Sequence, residues 1–100
     1  MKKLKITPVF TTETCGGNGY EIDWYRERSF KVKADELDSV AAMMLRGLEL
    51  PGYQCKLVLF HKKKGRVVWQ SCPLTAMDRT RALWAFANFN CHDFPEEDAA

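Results

Sequence analysis

The sequence predicts an α+β domain: an antiparallel sheet of four or five strands carrying two helices, in the order ββ(β)αββα. Three observations predict it. Apolar residues recur at the two-residue period of strands in several stretches, and at a helical period in two others. Gly, Pro and Asn cluster between these stretches, where chain reversals are needed. The 100 residues fit one such domain and not two. We place the domain at residues 1–92 and an acidic tail at 93–100.

The first strand is read in "LKITPVF", where Leu4, Ile6 and Phe10 alternate with polar neighbours. Pro8 cannot donate to a ladder, which predicts an edge position. Gly16, Gly17, Asn18 and Gly19 then form a connector. A strand follows it, whereas glycine loops that cradle phosphate open onto a helix.

In "GYEIDWYRERSFKVKA", Tyr20, Ile22 and Trp24 share a parity with Phe30 and Val32, and in between the same parity falls on Arg26 and Arg28. Arginine does not belong in a core, so a hairpin turning near "YRERS" is expected; one bent strand is the competing reading. Asp35 reads as a helix N-cap, with Asp38 three residues on. Leu37, Val40, Ala41, Met44, Leu45 and Leu48 make one helical face, which Gly47 and "PGY" at 51–53 bring to an end.

"YQCKLVLF", the turn "HKKKG" and "RVVWQSC" read as a hairpin. Leu57 and Leu59 on one side and Val58 and Phe60 on the other are all apolar, which predicts a central strand covered on two faces. After Pro73, Thr75 with Asp78 repeats the capping pattern, and "AMDRTRALWAFANFN" is the second helix. Both halves then run strand, basic turn, strand, capped helix. The two helices are expected on one face of the sheet.

Composition is that of a folded soluble chain, 46% hydrophobic and 28% charged, which excludes intrinsic disorder. No apolar run approaches the roughly 20 residues that span a bilayer, and Lys5, Thr7 and Pro8 interrupt any signal-peptide core. A cytoplasmic protein with no membrane contact is expected. Cys15, Cys55, Cys72 and Cys91 are then reduced thiols, disulfides being the rival reading for a secreted chain. Their spacing is not that of a zinc site, so neither metal nor cofactor is expected.

Net charge is only +2, but its placement is uneven. No acid lies between Glu49 and Asp78, a window holding Lys56, Lys62, Lys63, Lys64 and Arg66, while Asp93, Glu96, Glu97 and Asp98 make the tail acidic. With a hairpin at "YRERS", Arg26 and Arg28 join Lys62, Lys63, Lys64 and Arg66 in one basic rim. Trp24, Tyr25, Phe60, His61 and Trp69 would stand beside that rim as stacking surfaces. The plain alternative is that lysines at a tip keep it soluble and discourage edge pairing.

A second candidate site is the last helix. Trp84 and Phe86 are two positions apart and face nearly opposite ways, so one aromatic needs cover from the tail, a second copy or a partner. Catalysis is not expected. His61 and His92 have no supporting Ser or carboxylate pattern, and the adjacency of Cys91 and His92 is not the geometry that activates a thiol.

These readings converge on a non-catalytic adaptor or inhibitor. Its sites would be Lys62, Lys63, Lys64, Arg66, Arg26 and Arg28 with Trp84 and Phe86, and its partner a protein or nucleoprotein complex. A homodimer through the last helix is a further expectation, and a single-stranded DNA or RNA binding module is the alternative. In size and in lacking catalytic motifs the chain is similar to the small accessory proteins that phages and other mobile elements encode, including those that block host-defence complexes. The likeness rests on no shared motif and assigns no family; it leans the reading toward such an accessory protein.

Overall fold

The computed structural model describes residues 2–16 and 19–88, with side chains described outside 14–21. The acidic tail, Phe89, Cys91 and His92 lie outside the described residues. The order is β1 (Lys3–Gly16), β2 (Gly19–Arg26), β3 (Phe30–Lys33), a 3₁₀ turn (Ala34–Glu36), α1 (Leu37–Leu48), β4 (Leu57–His61), β5 (Val67–Gln70) and α2 (Ala76–Ala87). All five strands form one antiparallel sheet, β2-β1-β4-β5, with β3 also paired to β1. The expected class and element order are therefore present.

β1 is the organising strand, and it is central rather than at an edge. β4 lies along one side through Ile6 to Phe10, while β3 and β2 lie end to end along the other. Backbone bonds explain how Pro8 is tolerated there. Lys5 accepts from Lys62, and Thr11 donates to Lys56, so odd-numbered residues of β1 turn their backbone groups toward β4. Pro8 therefore turns toward the other side, where its carbonyl accepts from Glu27 at 2.8 Å. Its donorless nitrogen falls beside the irregular segment 27–29, where no ladder bond is required.

That segment also overturns the "YRERS" hairpin. Val9 pairs with Arg26 and Ile6 with Phe30, so the three residues 27–29 stand against the two residues 7 and 8. One extra residue is a β-bulge, and it switches the side-chain parity of the strand. Trp24 joins the cluster of Val9, Val58 and Phe60, whereas Phe30 and Val32 join Ile6, Leu57 and Leu59 on the opposite face. The bent-strand reading holds, and "YRERS" forms no counterpart of the β4–β5 hairpin; the hairpin of the first half is β1–β2.

The two helices lie on opposite faces, not on one. α1 packs Leu37, Val40, Met44, Leu45 and Leu48 around buried Ala41 against Ile6, Val32, Leu57 and Leu59, the stripe expected from its spacing. α2 packs Ala82 and Ala85 with Leu74 against Val9, Val58 and Phe60. The alternation within β4 serves both layers, so all of Leu57, Val58, Leu59 and Phe60 are buried. Each such apolar side chain contributes about 1.5–3 kcal/mol on burial.

Helix termini match the sequence at one helix only. Thr75 Oγ1 accepts from Asp78 N at 3.0 Å and the Asp78 carboxylate accepts from Thr75 N at 3.2 Å, a complete capping box on α2. Asp35 is not an N-cap. It lies within the 3₁₀ turn, and neither that turn nor α1 has a side-chain cap. α1 runs through Gly47 to Leu48, and the reversal after it is the Leu50–Tyr53 turn with Gly52 at φ 81°.

Candidate functional site: a lysine face continuous with the hairpin tip

The tip between β4 and β5 is tightly tied. His61 N donates to Arg66 O and Gly65 N to His61 O, both at 2.8 Å, and the Lys64 amide donates to His61 Nδ1 at 3.2 Å. Gly65 holds φ 67°, a conformation that favours glycine. A Cβ there would stand 3.4 Å from Phe86 Cε2. The side chains of Lys62, Lys63, Lys64 and Arg66 are all exposed.

Phe86 is a part of this support rather than a free anchor. Its ring stacks on Phe60 with centroids 4.7 Å apart and an interplanar angle of 18°. The carbonyl of Phe86, in the last turn of α2, accepts from Arg26 Nη1 at 3.1 Å. A cation at a helix C-terminus satisfies orphan carbonyls and opposes the negative end of the dipole. Arg26 thus docks α2 onto β2, two strands and several residues from Lys62, about 16 Å away on standard strand spacings. It does not join the tip. Arg28 is exposed within the bulge, beside the start of β3.

What the structure brings to the tip is a set of lysines the sequence reading passed over. Lys3 pairs with Lys33 and Lys5 with Lys31, and the β1–β4 ladder continues with Lys62 N donating to Lys5 O at 2.9 Å. Lys31, Lys5 and Lys62 therefore form a row across three strands, with Lys33 and Lys3 in the next row. Opposed residues share a face, and this is the face carrying Val9 and α2. Lys3, Lys5, Lys31 and Lys33 are exposed, and among the described residues none of them makes an ion pair.

The pairing is electrostatically unfavourable in isolation. Because Lys5 turns its carbonyl toward β4, Lys5 and Lys31 are a non-hydrogen-bonded pair, whose Cα atoms stand only about 4.5 Å apart. Like charges directly opposite each other destabilise a sheet. The signal was present in "KLK" and "KVK", whose lysines alternate with core-facing Leu4 and Val32. Only the register, set by the bulge, shows that the two runs meet.

Of the stacking surfaces expected beside the tip, His61 is there, its Nδ1 taken by the Lys64 amide, and the other four are not offered. Phe60 is buried at 2% exposure, Trp24 packs in the α2 layer, and Trp69 packs in the α1 layer. Tyr25 is tilted against Phe10 at 6.3 Å. Among the described residues Trp84 is the exposed aromatic, at 60%, on an outer α2 surface that also bears Met77 and Leu83.

The described thiols have packing roles. Cys55 is buried and its thiol donates to Thr11 O at 3.3 Å, within a network where Thr11 Oγ1 accepts from Tyr53 Oη at 2.6 Å and from Lys56 N at 2.9 Å. Burial pushes the Cys55 thiol upward, away from the reactive thiolate. Lys56 pairs with Asp78 at 2.8 Å and ties the approach to β4 to the first turn of α2; the bond raises Lys56 and lowers Asp78. Among the described residues no group of His, Cys, Asp and Glu is placed to hold a metal, and no helix is long and apolar enough to cross a membrane. No protein-family model, curated protein or solved structure matches the chain.

Proposed function

We propose that this chain is a non-catalytic binding protein, an adaptor or inhibitor, whose cationic tip meets an anionic surface of a protein or nucleoprotein partner. The observation that carries the reading is the exposure of Lys62, Lys63, Lys64 and Arg66 on a turn held by three hydrogen bonds and seated against Phe86. A turn fixed in this way presents its charges with less ordering cost on binding than a loose loop would. The outer surface of α2 around Trp84 is the second contact surface, for the partner or for a second copy of the chain. The location of Trp24, Phe60 and Trp69 in the core layers weighs against a single-strand module that stacks bases.

The test replaces Lys62, Lys63, Lys64 and Arg66 together with Ser and compares capture of partners from lysate with and without nuclease. The variant should keep its thermal midpoint, because these side chains are outside the core, and should lose capture. Full capture by the Ser variant would reject the tip as the site.

A further inference from the structure

We infer that the lysine face across β3, β1 and β4 is a binding surface for the phosphate backbone of double-stranded nucleic acid, with the tip as its outer margin. The inference rests on the reading of the tip as a contact site and names the chemistry it meets. Three observations carry it.

First, the charges are arranged as a surface rather than dispersed. Lys31, Lys5 and Lys62 stand in one row across three adjacent strands, Lys33 and Lys3 stand in the next, and Lys63 and Lys64 follow directly at the tip. Neighbouring rows are about 6.6 Å apart along the strands and neighbouring strands about 4.8 Å apart. The result is a small plane of closely spaced cations. Second, this arrangement works against folding, since like charges face each other at Lys3–Lys33 and Lys5–Lys31 without an acid interposed among the described ion pairs. A polyanion laid on the face relieves that repulsion and releases its own counterions.

Third, the residue type discriminates among anions. The face carries lysine; Phe60, the next residue on this face along β4 from Lys62, is buried and stacked on Phe86, and the described tryptophans are placed elsewhere. Protein interfaces are depleted in Lys and depend on aromatic and Arg anchors, so an acidic protein is the poorer fit for this face. Lysine acts on phosphate as a flexible point charge, without the planar fork that reads a base edge. Single-strand binders add exposed aromatic stacking, which the described residues of this face do not offer, Phe60 being buried. A duplex backbone, bound without sequence preference, is the ligand with matching chemistry.

The test is a titration of the full chain with a fluorescent 24-base-pair duplex at 50, 100 and 200 mM salt. The parent should bind with a log–log salt slope of about −0.9 per phosphate contacted, and binding should not depend on sequence. Lys31→Thr with Lys33→Thr should reduce the slope by about 2 while leaving the thermal midpoint unchanged or higher, since each removes one of two opposed charges. Arg79→Ser with Arg81→Ser, on α2, removes the same charge and should leave binding unchanged.

Several results would overturn the inference: no duplex binding at 50 mM salt, an unchanged slope in the β3 variant, equal loss in the α2 variant, or tighter binding of a 24-nucleotide single strand or of polyglutamate than of the duplex. Loss of duplex binding in the tip variant alone, with the β3 variant unaffected, would overturn the lysine face and leave the tip reading standing. Duplex binding that survives the tip variant but falls in the β3 variant would do the reverse.

Discussion

Two glycines show how one substitution changes sign with its surroundings. Gly65 holds φ 67°, and an added Cβ would lie 3.4 Å from the Phe86 ring, which is itself stacked on Phe60. Gly47 lies in α1 at an exposed position, and nothing stands within 4 Å of an added Cβ. Gly65→Ala should therefore cost about 1–2 kcal/mol, from the left-handed backbone alone. Gly47→Ala should stabilise the protein by up to about 1 kcal/mol, because alanine is the better helix residue and loses less entropy. For a domain of this size each kcal/mol moves the thermal midpoint by roughly 4–8 °C, so the two midpoints should separate on either side of the parent. A Gly65→Ala midpoint at or above the parent's would refute the constrained tip. The sequence reading placed Gly47 at the end of the helix, because glycine most often stops helices; its tolerance inside α1 depends on Leu48 continuing the packed stripe.

At the scale of the elements, what the sequence made legible was periodicity, and what it hid was a change of parity. The α1 stripe, the Thr75 capping box and the two-sided burial of β4 could be read because each depends on residues near one another in the chain. The bulge could not. Ile22, Trp24, Phe30 and Val32 keep one parity throughout, so the sequence shows a single alternating face broken by arginines, whereas the extra residue sends Trp24 under α2 and Phe30 and Val32 under α1. The central placement of β1 was hidden for the same reason, since Pro8 is acceptable only opposite that irregularity. Deleting Arg28 removes the extra residue and would turn Phe30 and Val32 toward the lysine face, displacing them from the α1 core. The deletion should abolish cooperative unfolding, while Arg28→Ser, which keeps the register, should shift the thermal midpoint by no more than a few degrees. A deletion variant with native circular dichroism and a parent-like midpoint would mean that 27–29 does not set the register.

For the whole molecule, the consequence of one sheet serving two layers is mechanical unity. β4 alternates between the layers residue by residue, and β1 does the same with Ile6 on the α1 side and Val9 on the α2 side. Neither helix can lose its packing surface without disturbing strands that the other helix needs. The lysine face depends on this unity as well, because its members come from β1, β3 and the β4 tip and share no local sequence, which is why it was illegible before the pairing was known. Met44→Asp places a carboxylate in the α1 layer, among the apolar side chains packed on Ala41. Its cost should be about 3 kcal/mol or more, so the midpoint should fall by at least about 10 °C. The decisive measurement is where that loss is felt. In a background carrying Trp69→Phe and Trp84→Phe, Trp24 fluorescence reports on the α2 layer, and its transition should fall together with far-ultraviolet circular dichroism. If the α2 layer instead kept its parental midpoint while part of the circular dichroism melted early, the two layers would be separate folding units, and a surface assembled from β1, β3 and β4 would lose its structural basis.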